Sequence, residues 1–337
     1  MIIAFLAFLI SFSAVPLLIS LANNAGAVAL PGRRHMHDHP TPKFGGVAIA
    51  MTVLLISPFV FSSDRVIGSY LVSSALMLML GIIDDAKGTT WQTKLVFSIA
   101  ATSIFMAGGQ TWVTDLGDLF GFGQIHLGYW GIPFTYFAVF GLVNAINLID
   151  GLNGLACGVA SVAFVSFAVF ASVSGNSTVL YLSLANLGAT LGLFRYNYPR
   201  ARIFMGDSGS QFLGFSLAAM AILLTQHHGT IKPFVPVVVL ILPIYDAVRV
   251  LSVRIMKRRH PFLGDRIHLH HLMVRSGIPK RRAVMTIWIL SGLMSSLAFV
   301  LFRYDSRLML MVVCIFISSI GVFIENLRII KTYSERK

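Results

Sequence analysis

Residues 130–155 read WGIPFTYFAVFGLVNAINLIDGLNGL, an apolar run that ends in asparagine, aspartate and glycine. A helix needs about 20 residues to cross the hydrocarbon core of a bilayer, and this run is long enough. Polar side chains near such a segment are costly unless they serve a site, and here they gather at one end. The stretch therefore predicts a transmembrane helix that carries functional polar residues at its end.

The composition of the whole chain agrees with this interpretation. Its 337 residues are 56% apolar and 12% charged, with a mean hydropathy of +0.80. A soluble fold could not hide that much apolar surface. The two cysteines, Cys157 and Cys314, lie in apolar segments, and their number excludes a disulfide framework or a zinc-finger spacing. We predict an integral membrane protein.

Apolar runs bounded by turn residues predict an all-α, polytopic membrane protein with about eleven transmembrane helices in a single domain, residues 1–337. The first run lacks a basic leader, so we expect it to be retained rather than cleaved. The predicted helices cover residues 2–22, 45–62, 66–83, 94–108, 130–148, 155–173, 178–195, 210–227, 234–254, 283–302 and 307–327.

The distribution of charge predicts the orientation. One set of alternate loops, with the C-terminal tail, carries 21 of the 26 Lys and Arg residues. The positive-inside rule puts this set in the cytoplasm, with the N-terminus outside and the C-terminus inside. The same bias explains the net charge of +13 without a nucleic-acid partner. The loops expected to form a cytoplasmic active site are residues 23–43, 84–94, 148–154, 195–208 and 254–282.

Two adjacent carboxylates, Asp84 and Asp85, end the third predicted helix, and Lys94 follows. Neighbouring like charges disfavour joint ionisation unless cations compensate, so the pair indicates a bound metal or a shared proton. A solvated helix cap is the alternative.

A second group runs off the fifth helix. Spacings of three place Asn144, Asn147 and Asp150 on one helical face, as if lining a polar cavity. Asn153 follows within a glycine-rich turn that would allow a ligand to approach closely. An ordinary helix cap would explain one such residue but not four.

Three further segments carry polar residues on the same predicted side. Gly206 and Asp207, before the eighth helix, could supply backbone N–H groups for phosphate and a metal ligand, although Asp207 could also be a plain N-cap. The basic loop 33–46, which contains Lys43, could cradle phosphate. Asp246 and Arg249, three residues apart in the ninth helix, suit a structural ion pair.

The most basic loop contains Arg266, His268, His270 and His271. Guanidinium and imidazole groups suit an anionic ligand such as a pyrophosphate or a sugar phosphate. A zinc site and a solvated loop are the alternatives, and the oxygen ligands elsewhere favour a hard cation such as Mg²⁺.

Taken in order, these motifs resemble those of the polyprenyl-phosphate N-acetylhexosamine-1-phosphate transferases over nearly the whole chain. The motifs are the Pro-Thr-Pro-Lys-Phe-Gly-Gly loop, the Asp84–Asp85 pair, Asn-Ala-Ile-Asn-Leu-Ile-Asp-Gly, Phe-Met-Gly-Asp-Ser-Gly-Ser and His-Leu-His-His. The histidine segment is similar to that of the WecA-type branch. That branch transfers GlcNAc-1-phosphate from UDP-GlcNAc to undecaprenyl phosphate at the bacterial inner membrane, starting O-antigen, common antigen or teichoic acid synthesis.

The resemblance implies roles for these residues. Asn147 and Asp207 would coordinate Mg²⁺, with Mn²⁺ as a substitute. Asp84 and Asp85 would orient or deprotonate the lipid phosphate in a direct displacement, with a covalent phospho-Asp intermediate as the alternative, and Lys94 would bind phosphate. Asp150 would belong with Asp84, Asp85 and Lys94 to the catalytic residues and, with Asn153, would shape the uridine and metal pocket. The histidine segment would hold the sugar-phosphate end. The other substrate-binding residues would be Lys43, Asn144, Gly206, Arg266, His268, His270 and His271. A homodimer is common among relatives.

Two positions depart from the family pattern. Asn153 stands where many bacterial relatives carry a second Asp, although eukaryotic relatives that make dolichol-linked GlcNAc carry Asn. The spacing from the Asp pair to Lys94 is one residue longer than usual. Other UDP-sugars, carrying FucNAc, QuiNAc, GalNAc or MurNAc-pentapeptide, remain alternative donors. A membrane transporter is a more distant alternative, since polar residues at one face and the lack of a repeat argue against it.

Overall fold

A computed structural model describes residues 1–29, 40–60, 64–226, 231–260 and 267–334, with side chains to residue 327. Helices dominate it, joined by one two-stranded sheet. The elements are α1 Ile2–Asn24, β1 Val28–Ala29, β2 Thr41–Pro42, α2 Gly45–Val60, α3 Arg65–Lys87, α4 Trp91–Gly109, a 3-10 turn Gly128–Trp130, α5 Gly131–Ile149, α6 Leu155–Ser174, α7 Ser177–Asn197, α8 Gly206–Gln226, α9 Val235–Val239, α10 Ile241–Met256, α11 Leu269–Arg275, α12 Lys280–Leu301 and α13 Ser306–Ser334.

The all-α class is confirmed, and each predicted helix overlaps a helix of the structure. The ninth prediction, 234–254, was wrong in one respect, because the chain leaves the helical conformation at Leu240. Proline cannot donate to the carbonyl four residues back, and its ring clashes with that carbonyl. Pro243 therefore separates α9 from α10, and it lies in the first turn of α10, where its missing N–H costs little.

Two other boundaries bear on the site. Helix α3 continues through Lys87, so the Asp pair lies in its last turn rather than in a loop. Helix α4 begins at Trp91, where the hydroxyl of Thr90 accepts from Thr93 N. The loop 254–282 also contains a short helix, α11, that hydropathy did not indicate.

Among the described residues, eight helices are long and apolar enough to cross a membrane: α1, α3, α5 with its preceding 3-10 turn, α6, α7, α8, α12 and α13. The chain is therefore a multi-pass membrane protein. Helix α2 is apolar but shorter. The total of eleven spans and the orientation of the termini stay predictions.

Helix α8 lies at the centre, packed against α2, α3, α5 and α6. Glycines bring the neighbouring backbones close to its first turns. A Cβ at Gly81 of α3 would lie 2.3 Å from Ser208 Cα, and one at Gly46 of α2 would lie 1.9 Å from Gly209 N. No side chain larger than hydrogen fits at either position, so α2 and α3 touch the start of α8 directly.

The segment before α2 pairs with the segment before α8. Strands β1 and β2 are antiparallel, and Phe204 N donates to Pro42 O at 2.7 Å. Gly45 N and Gly46 N then donate to Phe204 O and Met205 O at 2.9 and 2.7 Å. These bonds hold two sequence motifs, 160 residues apart, side by side at one end of the bundle.

Candidate active site

The last turn of α3 carries two buried carboxylates that face different partners. Asp84 Oδ1 accepts from the backbone N–H of Thr89 at 2.6 Å and from its hydroxyl at 2.8 Å. The ammonium of Lys94, in α4, forms an ion pair with the other oxygen of Asp84. The loop between α3 and α4 thus fixes this carboxylate and supplies its cation.

Asp85 instead caps the start of α8. Its Oδ1 accepts from Asp207 N and its Oδ2 from Ser208 N, both at 2.9 Å. The first N–H groups of a helix lack partners within the helix, and negative charge there is stabilising. Gly206 makes the contact possible, because it has φ +72° and a Cβ there would lie 2.6 Å from an Asp85 oxygen.

Asp207, in the first turn of α8, contacts residues from three other helices. Its Oδ1 accepts from Asn147 Nδ2 of α5 at 2.5 Å and lies 3.7 Å from Lys94 Nζ. Asn147 Nδ2 also donates to Ser210 Oγ, one turn along α8, at 2.8 Å. With Asp85 from α3 on its backbone, the Asp207 carboxylate is placed by α3, α4, α5 and α8 together.

The turn after α5 adds a fourth carboxyl group, that of Asp150. Burial, followed by the negative charges of Asp207 and Asp85, raises the pKa of Asp150 to about 8. At neutral pH and without cations, this carboxyl group therefore holds a proton in most molecules. The turn thus places a carboxyl group that is mostly neutral at this pH within the electrostatic influence of Asp207 and Asp85.

Asn197, at the end of α7, ties this turn to the segment before α8. Its Oδ1 accepts from Gly154 N at 2.7 Å and its Nδ2 donates to Ile203 O at 2.9 Å. Asn153 Nδ2 donates to Pro199 O at 3.3 Å, a bond that an aspartate could not make. In this structure Asn153 therefore links the turn after α5 to the loop after α7 by a hydrogen bond.

The histidine segment forms the wall behind the turn. His268 Nδ1 lies 2.8 Å from Asp246 Oδ2. His270 is 1% exposed, and its ring nitrogens have no hydrogen-bond partner among the described residues. Burial, then the neighbouring His271, lowers the pKa of His270 to about 3, so its ring is neutral. A Cβ at Gly151 would lie 2.1 Å from His270 Nε2, so the ring packs on the turn itself.

Comparison with known proteins agrees with this geometry. The model of glycosyl transferase family 4 matches residues 67–225, from α3 to α8. Over 326 residues the chain is 30% identical to a Bacillus subtilis protein described as a probable undecaprenyl-phosphate N-acetylglucosaminyl 1-phosphate transferase, covering 95% of this chain and 90% of that protein.

The chain belongs to glycosyl transferase family 4.

Two further relatives support the assignment. A decaprenyl-phosphate N-acetylglucosaminephosphotransferase of Mycobacterium leprae is 32% identical over 319 residues, 85% of this chain and 80% of that protein. An undecaprenyl-phosphate alpha-N-acetylglucosaminyl 1-phosphate transferase of Haemophilus influenzae is 30% identical over 299 residues, 87% of this chain and 84% of that protein. The protein is therefore a membrane transferase.

The donor set of this family-4 transferase fits a hard divalent cation. Within the described ranges, no three His, Cys, Asp or Glu side chains are grouped to hold a metal ion. Asn147 and Asp207 offer instead an amide and a carboxylate oxygen, with the two side chains in contact. Mg²⁺ prefers oxygen ligands and keeps several waters, so two protein ligands suffice. Turning the Asn147 amide would direct its oxygen to the ion.

Several predicted residues of the transferase meet here: Asp84, Asp85, Lys94, Asn147, Gly206 and Asp207. Asn144 does not take part through its amide nitrogen, which donates to Phe140 O of its own helix at 2.7 Å. Lys43 contributes its backbone, because a Cβ at Gly206 would lie 2.4 Å from Lys43 O. Arg266 and residues 33–39 lie outside the described residues.

Sequence reasoning assigned no role to three residues that hold the transferase site together: Thr89, Asn197 and Ser210, the last of which ends a quoted motif. Thr89 follows a glycine and precedes a helix, where Ser and Thr commonly bond to nearby groups. Ser210 lies three residues after Asp207, on the same helical face. These signals were present in the sequence. Asn197 gave no such local signal, because its partners lie in two separate loops.

Proposed function

We propose that this transferase moves GlcNAc-1-phosphate from UDP-GlcNAc to undecaprenyl phosphate. An oxygen of the lipid phosphate attacks the β-phosphorus of UDP-GlcNAc and forms a new P–O bond. The bond from that phosphorus to the bridging oxygen breaks, and UMP leaves with the electron pair. The lipid product is undecaprenyl-diphosphate-GlcNAc, and the curated names of the relatives support this choice of donor sugar and acceptor.

The observation that carries the proposal is the meeting of Asp84, Lys94, Asn147 and Asp207 at one end of the helix bundle. Phosphoryl transfer mainly requires positioned groups and compensation of negative charge. A single ammonium among carboxylates, beside an amide–carboxylate pair, provides both. These groups lie at helix ends, where a lipid phosphate at the membrane surface could reach them.

Each group then has a distinct part. Asn147 and Asp207 would hold Mg²⁺, which when bound would neutralise charge on the pyrophosphate. Lys94 binds a phosphate oxygen of the substrates, and Asp84 holds the Lys94 ammonium in place while facing the acceptor. Asp85 keeps the start of α8, and with it the Asp207 carboxylate, in position. A phosphate monoester is already largely ionised near pH 7, so the acceptor needs no strong base.

The donor's sugar-phosphate end would lie towards the histidine segment, beyond Asp150. The positive-inside bias supports a site on the cytoplasmic face of the inner membrane. A lipid carrier loaded with GlcNAc-1-phosphate there would start the synthesis of a surface polysaccharide such as O-antigen, common antigen or teichoic acid.

The test is UMP release by the purified protein in lipid nanodiscs with undecaprenyl phosphate, Mg²⁺ and a panel of UDP-sugars. We expect release with UDP-GlcNAc, and a loss of at least about a hundredfold in Asp207→Ala, since one preorganised electrostatic contact contributes that much. The exposed Lys87, beside the same site, gives the matched control Lys87→Gln, which should keep full activity. Release with a different UDP-sugar alone would contradict the donor assignment.

A further inference from the structure

Asp246 is a buried carboxylate in α10 that the reaction described above does not use. It is 3% exposed and lines a small cavity with apolar neighbours that include Ile149, Leu242 and Ile287. A charge in such surroundings is costly unless several donors compensate it. The identity of those donors therefore indicates what the carboxylate is for.

Three donors converge on Asp246, and two of them belong to the histidine segment. Oδ2 lies 2.8 Å from His268 Nδ1. Oδ1 accepts from Leu269 N and from Arg249 Nη2, each at 2.8 Å. Arg249 Nη2 also donates to Ile267 O at 2.5 Å. One ion pair of α10 thus holds three consecutive residues, 267–269, at the start of α11.

The contact with His268 also sets the chemistry of its ring. A carboxylate facing Nδ1 keeps a proton on that nitrogen, which makes Nε2 the atom available to a ligand. Asp–His pairs in enzymes fix both the tautomer and the orientation of the imidazole in this way. A carboxylate needed only to compensate Arg249 would not require the histidine.

The residues that Asp246 and Arg249 hold are connected to the proposed substrate pocket. His270, two residues after His268, packs on Gly151, and Gly151 follows Asp150. Helix α10 also packs against α5, which carries Asn147. A shift of residues 267–269 would therefore move the wall of the pocket relative to the metal-binding pair.

We propose that Asp246 is a positioning residue for donor binding: it acts through His268, whose unprotonated Nε2 it directs to accept a hydrogen bond from a hydroxyl or amide N–H group of the sugar in the nucleotide sugar. Arg249 supports it by fixing the Asp246 carboxylate and the carbonyl of Ile267. The inference rests on the proposed function for the identity of the donor, but the Asp246–His268 coupling can be measured separately.

The test is a double-mutant cycle with Asp246→Asn, His268→Ala and the double variant, in nanodiscs with saturating acceptor. Asparagine keeps the size of the side chain but loses one acceptor and the charge. Each single variant should raise the KM for UDP-GlcNAc about tenfold or more, with a smaller change in kcat, as expected for a charge-assisted hydrogen bond. In the His268→Ala background, Asp246→Asn should change kcat/KM less than about twofold.

Full additivity of the two substitutions, or an unchanged KM in Asp246→Asn, would overturn the proposal.

If Asp246→Asn does not fold, as judged by thermal unfolding, Arg249→Lys is the second variant, because it keeps the charge and removes the link to Ile267. Arg249→Lys should also raise the KM for UDP-GlcNAc. An unchanged KM would contradict the proposed role of the Asp246–Arg249 pair in holding residues 267–269. The same cycle, measured as UDP-GlcNAc binding without acceptor, does not require turnover. If the two substitutions are coupled in UDP-GlcNAc binding but the protein transfers no sugar phosphate, the proposed reaction is contradicted and the role of Asp246 is not.

Discussion

Asp85, at the end of α3, accepts a hydrogen bond at 2.9 Å from the backbone N–H of Asp207, which lies 122 residues later at the start of α8. Its second oxygen accepts from the next N–H of the helix. Both oxygens of Asp85 are thereby directed at the backbone that carries the proposed metal ligand. Adjacent carboxylates that look equivalent in the sequence thus have different surroundings, since Asp84 faces Lys94.

Loss of this cap should weaken metal use by the transferase. Asn in Asp85→Asn would keep one acceptor and point a donor at the other N–H, so Asp207 loses its fixed position. We expect kcat to fall at least about tenfold and the Mg²⁺ concentration for half-maximal activity to rise, measured by UMP release.

A matched control is Asp64→Asn. Asp64 caps α3 by accepting from Val66 N at 2.8 Å, at the end of that helix away from the site. The Asp64→Asn substitution should lower the melting temperature without changing the Mg²⁺ dependence of activity. Equal Mg²⁺ dependence in the two variants would mean that Asp85 is only a structural cap.

Gly206→Ala should impair the site more than its backbone strain alone explains. Gly206 and Gly175 both have φ +72°, where a side chain costs of order 1 kcal/mol. A Cβ at Gly206 would also meet Lys43 O and the Asp85 oxygens, whereas one at Gly175 meets nothing within 4 Å.

Gly175→Ala is therefore the strain control for this prediction. We expect both variants to lose some thermal stability, and Gly206→Ala alone to lose most of its UMP release. Similar activity in the two variants would show that the Gly206–Asp85 contact is not needed for transfer.

Lys94→Gln should cut kcat/KM by about a hundredfold or more, because Lys94 supplies the positive charge between Asp84 and Asp207. Lys94→Arg keeps that charge with a different shape and should retain a larger part of the activity. The measurement is steady-state UMP release, with Lys87→Gln as the control for charge alone. Equal activity in Lys94→Gln and Lys87→Gln would remove Lys94 from the mechanism.

The raised pKa of Asp150 predicts that metal-free protein loses stability as the pH rises. The folded chain holds this proton up to about pH 8, whereas an unfolded chain releases it near pH ~3.9. Between these values the folded state binds more protons, so a higher pH favours unfolding. The melting temperature in EDTA should fall from about pH 6 to about pH 9, and fall less in Asp150→Asn, whose amide cannot titrate. Equal slopes in the two proteins would contradict the assignment.

Hydropathy and charge predicted the helices well, because crossing a membrane imposes length and composition directly on the sequence. The break at Leu240 was missed, although Pro243 signals it, because the apolar run continues without interruption. Helix α11 was missed for another reason. Its seven residues are too few for a clear period, and Asp246, far along the chain, holds its first N–H.

Motif order predicted several residues that the structure brings together, but not which partner each side chain contacts. Nothing local separates Asp84 from Asp85, because their partners lie in α4 and α8. The regular spacing of Asn144 and Asn147 predicted a shared cavity, yet Asn144 Nδ2 bonds within α5. Burial of His270 was also beyond the sequence, because it depends on contact with Gly151 of a distant turn. These differences all arise from tertiary packing, which spacing alone does not encode.

The most direct test of the proposed reaction is the fate of the two phosphorus atoms of UDP-GlcNAc. The protein in nanodiscs with undecaprenyl phosphate and Mg²⁺ would be given donor labelled at either the α- or the β-phosphorus. We predict that the β label appears in the extracted lipid, that the α label appears in UMP, and that EDTA or Asp207→Ala abolishes both. A β label that stays in the aqueous phase, or an α label found in the lipid, would contradict the proposed transfer.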